Sequence, residues 1–423
     1  MRSDVHRTID AVWRIESARV IAGLARIVGD VGAAEDLAQD ALLAALQQWP
    51  ESGIPANPGA WLMAAGKNRA IDRIRRDVRL QRKHQELAVD LEPDHESAID
   101  RLDEAIDDPV GDDLLRLVFT ACHPVLSTEA RIALTLRLLG GLSTEEIARA
   151  FLVPVPTIAQ RIVRAKRTLG EAHVPFEVPR GDELAARLST VLDVIYLIFN
   201  EGYTATAGSD WTRPTLCEEA LRLGRILSGL APAEPEVHGL VALMEIQASR
   251  LRARLGPSGE PILLMDQNRG RWDQLLIGRG FAALERVETL GGTFGSYALQ
   301  AAIAACHARA RTAEETDWTR IAALYDALSQ LMPSPIVQLN RAVALAMAFG
   351  PATGLELVDE LITESALAEY HLLPAVRGDL LHRLGRFQEA GAEFARAASL
   401  TRNARERDLL LERAAAASKY SRQ

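Results

Sequence analysis

The sequence predicts an all-α protein, with two small helical domains followed by a larger helical one. Three observations carry that prediction. Ala, Leu, Arg and Glu dominate the 423 residues, only 5% are aromatic and β-branched runs are few, a composition that favours helix over sheet. Apolar residues recur at spacings of three and four along most of the chain. Charge is sorted into blocks: a basic stretch at 67–83, an acidic one at 86–113 and a second basic one at 161–167.

At 423 residues the chain has room for about three domains, and 48% hydrophobic content gives each a core. The net charge of −9 argues against a passive DNA-coating protein, although a specific binder needs only a local basic surface. The start, with Arg7, Asp10, Arg14, Glu16 and Arg19, lacks the apolar run of a signal peptide, and no window approaches a membrane span. A cytoplasmic protein that does not touch a membrane is expected. Cys122, Cys217 and Cys306 lie far apart with no Cys-x-x-Cys pair, so neither a disulfide framework nor a zinc ribbon is indicated. Cys122-His123 and Cys306-His307 could in principle meet at a metal, but a buried cysteine beside a helix-end histidine is the commoner arrangement. No metal or cofactor is expected.

Helical patterns at 11–28 and 33–48, separated by Val-Gly-Asp-Val-Gly-Ala, read as an antiparallel pair. On the second, Leu37, Ala41 and Ala45 form the inward stripe while Asp36, Gln39 and Asp40 gather on another face. That face is either a solvated surface or a seat for a basic partner. Pro50 is expected to end the pair, and Asn57-Pro58-Gly59 to turn the chain into a helix over 60–79. There Lys67, Arg69, Arg73, Arg75, Arg76, Arg79, Arg82 and Lys83 are opposed only by Asp72 and Asp77. Asn68, Asp72, Arg75, Arg76 and Arg79 share one stripe. Its arginines suit phosphates, and Asn68 or Asp72 suits base edges or the steadying of neighbouring arginines. A solvated basic helix is the plainer alternative. From Glu86 to Asp113 twelve acids face Arg101 alone. Their repulsion favours an extended linker, and residues 84–111 could span up to about 90 Å. Two basic modules tethered in this way can occupy separate places on one duplex.

A second helical unit begins near Leu114, includes a helix introduced by Ser127-Thr128-Glu129, and closes with 142–169. Ser143 and Glu146 have the spacing of a capping box, which starts a helix over 144–151. Pro156 can open a second helix that runs to Leu169. Ile158, Ile162 and Ala165 form its apolar stripe, with Thr157, Gln160, Arg161, Arg164 and Arg167 away from it. This is the pattern of a helix-turn-helix whose second helix suits the major groove and flanking phosphates. An ordinary basic helical hairpin would show it too.

The remaining half also reads as helical. Residues 183–199 form an apolar helix expected to stop at a glycine cap in Asn200-Glu201-Gly202. The stretch 261–273 interrupts the helices with Asp266, Arg269, Arg271 and Asp273, either a structural ion-pair network or a partner contact. Gly378, Leu381, Gly385, Phe387, Ala390, Phe394 and Ala397 match the spacing of a tetratricopeptide helix pair. A weaker copy from Asn340 to Leu357 is disturbed by Pro351 and Gly354. Hairpins of this kind usually bind proteins.

In order, Ala-Glu-Asp-Leu-Ala-Gln-Asp-Ala-Leu (34–42), Pro-Gly-Ala-Trp-Leu through Asn-Arg-Ala-Ile-Asp-Arg-Ile-Arg-Arg (58–76) and the helix-turn-helix resemble bacterial sigma-70 factors of the extracytoplasmic-function type. The resemblance covers about residues 8–172. It implies sigma region 2 over 1–83, an acidic linker over 84–112, sigma region 4 over 113–173 and a helical extension over 180–423. It further implies that Asp36, Gln39 and Asp40 dock on the clamp helices of core RNA polymerase. Residues 57–76, with Asn57, Lys67, Asn68, Asp72, Arg73, Arg75 and Arg76, would engage the −10 element of promoter DNA. Residues 143–167, with Ser143, Thr144, Thr157, Gln160, Arg161, Arg164 and Arg167, would hold the −35 element. The acidic linker would thread the RNA-exit path of the polymerase. With Asn-Glu-Gly-Tyr (200–203) and Asp-Gln-Asn-Arg (266–269), the whole plan is similar to sigma factors that carry a tetratricopeptide-like C-terminal extension. Such relatives commonly lack a dedicated membrane anti-sigma factor and neighbour small YCII-related (DGPF) proteins, which makes the extension the candidate regulator. Asn200, Glu201, Asp266, Arg269, Arg271 and Asp273 are then its partner-binding or structural residues. The function expected is promoter-specific transcription initiation. The competing one is a polymerase-independent helix-turn-helix regulator with a sensing domain. An enzyme is not expected: there is no phosphate-cradling glycine loop, HExxH or nucleophile elbow, and Asp266 or His371 would have to act alone.

Overall fold

Helices α1 (Arg2–Val28), α2 (Val31–Ser52) and α3 (Pro58–Gln85) open the chain. In this computed structural model the described residues are 2–85, 110–151, 153–204, 211–257, 259–291 and 295–420. Among them every element is helical, apart from an isolated bridge between Leu255 and Pro261. The acidic stretch from Glu86 to Pro109 lies outside the described residues. The chain divides into two compact units, Met1–Ile195 and Tyr196–Gln423.

In the first unit, Asp30 caps α2 by accepting from the Ala33 N–H at 2.6 Å, so the break falls within the glycine-bearing segment the sequence marks. Pro50 does not end α2; it lies inside the last turn, and the helix runs on to Ser52 before the Gly53 N–H bonds to the Trp49 carbonyl at 3.0 Å. A proline so near the C-terminus forfeits one backbone bond without breaking a long run. The side chain that holds this end is Trp49, buried and edge-on to Trp61 of α3 at 5.2 Å between ring centres. An aromatic pair of that geometry adds about 0.5–1.5 kcal/mol beyond its area.

Helices α4 (Val110–Ala121), α5 (Thr128–Leu138), α6 (Thr144–Phe151) and α7 (Val155–Glu171) complete the unit. The sequence suggests modules that a tether could hold apart. Here they pack on α1 and α2 with ion pairs across the contact, and two of the carboxylates, Asp113 and Glu35, are buried. Asp113 receives Arg26 at 2.9 Å and Arg116 at 2.7 Å, and Arg14 pairs with Glu146. Glu35 on α2 is only 2% exposed. It accepts from Arg137 Nε of α5 and from Gln39 Nε2, each at 2.6 Å, and pairs with Lys166 of α7. A carboxylate cannot stay ionised in an apolar interior without such partners. Burial pushes the Glu35 carboxyl up, but Lys166 and Arg137 outweigh it and hold the group below its ordinary value.

The second unit starts within α8 (Asp182–Tyr203), which continues past the expected stop. Gly202 lies inside the helix, where a Cβ would come within 2.6 Å of the Cys217 backbone nitrogen. It is a glycine of close approach rather than a cap. Next come α9 (Pro214–Leu230), α10 (Pro235–Ala248), α11 (Gln274–Thr289) and α12 (Ser296–Arg309). Helix α10 is the hub, with Val237, Leu240, Leu243, Met244 and Ile246 all buried. Its Glu236 accepts from the Tyr297 N–H at 2.8 Å and the Ala298 N–H at 3.1 Å, so one helix caps another.

Helices α13 (Trp318–Leu331), α14 (Pro335–Phe349), α15 (Pro351–Leu361), α16 (Leu372–Arg383), α17 (Phe387–Leu400) and α18 (Ala404–Tyr420) pack successively. The two repeat-like patterns fall on α14–α15 and α16–α17. Pro351 and Gly354, which disturb the sequence match, fit their places: Pro351 opens α15, and a Cβ at Gly354 would sit 2.5 Å from that of Ala346.

Two outcomes are expected. Glu35→Gln leaves Arg137 and Lys166 facing a neutral group and lowers the stability of the first unit by about 2–4 kcal/mol, read by urea unfolding. Because the Glu35 pKa is lowered, its contribution is complete above the ordinary value of 4.5 and fades as pH falls through the lowered one. His307 acts in the same direction over a higher pH range: burial, helped by Arg250 and Arg269, pushes it down to about 3 from 6.5. The unfolded chain takes up the proton first, so stability drops by about 1.4 kcal/mol per pH unit below the ordinary histidine value. A His307→Phe variant should lose this component, which parallel acid titrations of unfolding would reveal.

Candidate nucleic-acid interface

The first unit presents two basic faces. On α3, Asn57 accepts from the Ala60 N–H at 3.0 Å and so caps the helix. Beyond it Asn68, Asp72, Arg73 and Arg75 are exposed and Lys67 is half-buried. The side chains of Arg76, Arg79, Arg82 and Lys83 lie outside the described ones. Ala70 and Leu62 are buried; Asn68, Asp72 and Arg75 share one outward stripe, while Arg73, two residues before Arg75, lies on another exposed side of the helix.

The second face is built by the helix-turn-helix. Ser143 Oγ accepts from the Glu146 N–H at 3.1 Å while Glu146 accepts from the Ser143 N–H at 2.8 Å. This capping box fixes where α6 starts, one residue after Ser143 at Thr144. Helix α7 opens one residue earlier than the sequence suggests, at Val155, with Pro154 at the cap position. Ile158, Ile162, Ala165 and Leu169 are buried. Gln160, Arg164 and Arg167 are exposed, and Thr157 and Arg161 half-buried. Arg167 is joined to Glu171 at 2.7 Å, an exposed pair that a phosphate can displace cheaply.

Sequence reasoning missed two features here. Val163 is 63% exposed between Gln160 and Arg164, a place from which an apolar side chain can meet a thymine methyl. Lys166 points the other way, to Glu35, and belongs to packing rather than to the outward face. An exposed β-branched residue in an amphipathic helix was the available signal for the first. No local signal marks the second, since its partner lies more than a hundred residues away.

On α2, Asp36 and Asp40 are exposed, and Leu43, 56% exposed, continues their stripe. Gln39 is half-buried and spends its amide on Glu35. Asp36 lies 4.0 Å from Lys166.

In the second unit the residues singled out take local duties. Asn200 hydrogen-bonds Tyr196, and Glu201 pairs with Arg213. Asp273 caps α11 by accepting from the Leu275 and Leu276 N–H groups at 3.0 and 3.1 Å. Arg269 donates to the carbonyls of His307 and Ala310 at 2.7 and 2.9 Å and to Thr316 Oγ1 at 2.9 Å. Asp266 and Arg271 are exposed. Arg269 and Asp273 therefore turn to carbonyls and a cap, Asp266 and Arg271 face solvent, and no ion pair joins the four among the described residues. The three cysteines are free and buried, and no grouping able to hold a metal occurs among the described residues.

Comparison with known proteins bears on both units. Residues 14–80 match the model of Sigma-70 region 2 and residues 116–169 that of Sigma-70, region 4. Residues 187–288 match a family of unknown function, DUF6596. The chain is 43% identical over 389 residues to the uncharacterized protein R00370 of Rhizobium meliloti, covering 92% of this chain and 90% of that one. It is 27% identical over 173 residues to the probable ECF RNA polymerase sigma factor SigI of Mycobacterium tuberculosis, 41% of this chain and 58% of that protein. It is also 30% identical over 142 residues to the probable RNA polymerase sigma-C factor of Mycobacterium bovis, covering 34% and 71% of the two chains. No solved structure matches. The chain belongs to one family with R00370, and by its region 2 and region 4 domains it is a sigma-70-like sigma factor.

Proposed function

We propose that this sigma factor directs core RNA polymerase to specific promoters, and that the unit from Tyr196 to Gln423 adjusts this activity in response to a ligand or partner. The carrying observation is that α3 and α7 expose separate basic faces on one unit while α2 exposes an acidic one. Arg73 and Arg75 of α3 would contact the −10 region. Thr157, Gln160, Arg161, Arg164 and Arg167 of α7 would contact the −35 region, with Ser143 and Thr144 at the start of the preceding helix. Asp36, Gln39, Asp40 and the exposed Leu43 would meet the polymerase. Because Asp36 lies beside Lys166, polymerase and α7 would compete for neighbouring parts of α2, and docking would loosen the packing around Glu35. The extension is the candidate regulator, and a small YCII-related (DGPF) protein is one partner it would suit. No described helix is long and apolar enough to cross a membrane.

The decisive experiment compares full-length protein with a truncation after Ile195 in transcription by core polymerase. Cutting there keeps Arg187, which donates to the Phe119 carbonyl at 2.8 Å. Both proteins should give promoter-dependent transcripts, at different levels. Absence of any such transcript from either one refutes the reading. A second expectation concerns salt: Arg73→Ala with Arg75→Ala should weaken promoter binding by the holoenzyme and reduce the slope of log affinity against log salt by about two units, roughly one for each phosphate that is no longer neutralised. An unchanged slope would remove those arginines from the interface.

A further inference from the structure

The unit from Tyr196 to Gln423 holds two neighbouring arginines, Arg250 and Arg254, that pair with no carboxylate among the described residues. After α10 the chain turns through Ser249–Leu255 and is tied back by the Ile262 N–H on the Arg254 carbonyl at 2.8 Å and the Asp273 N–H on the Ser249 carbonyl at 2.9 Å. This brings Arg254 against the end of α8. Its guanidinium lies 3.7 Å from the centre of the Tyr203 ring and 5.7 Å from that of Trp211, and donates to Thr204 Oγ1 at 2.9 Å. Arg254 is 7% exposed, and its Nη1 has no hydrogen-bond partner among the described residues. Arg250 stands 5.7 Å from the same tyrosine ring and 5.7 Å from that of Trp272. Its side chain makes no hydrogen bond or ion pair with any described residue, and its Nε is buried. Trp272 Nε1 is likewise buried and without a partner among the described residues.

Two guanidiniums sharing one ring repel each other, and cation–π attraction replaces neither their hydration nor a counter-charge. Burial, which outweighs the attraction of Tyr203, and repulsion from Arg250 hold Arg254 below its ordinary value. Glu201, two residues before Tyr203 on α8, is already paired with Arg213. Every unmatched group on Arg250, Arg254 and Trp272 is a donor, so the missing partner must be rich in acceptors and negatively charged.

We propose that Arg250 and Arg254, walled by Tyr203, Trp211 and Trp272, form a binding site for a small oxyanion carried as a phosphate group. The fork of a guanidinium matches phosphate geometry, and two guanidiniums suit its double charge. The burial of Arg254 favours a small molecule over the backbone of a nucleic acid, which binds on exposed surfaces. The assignment does not depend on the transcriptional reading, since binding can be measured without polymerase or promoter.

The test uses the full-length protein in Tris chloride buffer at fixed ionic strength, following thermal unfolding while inorganic phosphate or adenosine monophosphate is titrated in. Saturable stabilisation is expected, with Arg250→Gln requiring at least tenfold more phosphate for the same shift. Because the Arg250 side chain makes no hydrogen bond with the described residues, that variant should fold, and without phosphate it should melt no lower than the parent. Tighter binding of the nucleotide assigns the site to a phosphate ester; equal binding assigns it to free phosphate. The proposal is overturned if phosphate acts no more strongly than chloride, or if parent and variant respond alike. It is also overturned if Arg250→Gln melts lower without phosphate while its response is unchanged, which would make the arginine structural, or if a DNA duplex protects where phosphate does not.

Discussion

The architecture of the first unit depends on one buried carboxylate. Glu35 offers its oxygens to Arg137 and Lys166, and so joins α2 to both α5 and α7. Desolvating a carboxylate costs several kcal/mol, which the two cations and the Gln39 amide must offset together. Removing either cation leaves the charge stranded, so the three helices hold their relative positions as a set. The rotation of α7 follows: with Lys166 turned inward to Glu35, and Ile158, Ile162 and Leu169 in the core, the remaining face carries Gln160, Val163, Arg164 and Arg167 outward. The helix proposed to read DNA is thus aimed by an acid on another helix.

Glu35 and Asp36 adjoin in sequence yet do opposite things. One helical step of about 100° places the first in the interface and the second in solvent, with side-chain exposures of 3% and 69%. A single turn of α2 therefore holds the packing anchor and begins the acidic stripe proposed to meet the polymerase. Any partner that draws on Asp36 acts within 4.0 Å of Lys166. The electrostatics of docking and of internal packing are then coupled, because a charge added at one alters the balance of the other.

What the sequence makes legible is what short-range chemistry decides. The start of α6 at Thr144 follows from Ser143 and Glu146, three residues apart, and the apolar stripe of α7 follows from helical spacing. Pro50 and Gly202 mislead for the opposite reason. Proline disfavours a helix interior and glycine favours a cap, but Trp49 packing on Trp61 carries α2 past the proline, and the proximity of Cys217 needs a glycine within α8. Periodicity gives Glu35 a face but cannot name Arg137 as its partner. The outward residues of α3 and α7 were readable as a set because charge segregates there, whereas Arg250 and Arg254 look in sequence like any surface arginines.

Those arginines show what distinguishes one role from another. A guanidinium carries five donors, and the fate of those donors is more informative than its position in a motif. Arg269 has three of them on carbonyl and hydroxyl oxygens of fixed loops, so it braces the fold. Arg167 has one exposed carboxylate partner on its own helix, a contact that solvent screens and that is open to exchange for phosphate. Arg250 has aromatic neighbours but no acceptor among the described residues. Bracing, exchange and an unanswered charge are three states of one side chain, and the last is stable only where an acceptor from outside completes it or the remaining fold absorbs the cost. Repulsion from Arg254 over the same ring raises that cost, and so favours completion from outside.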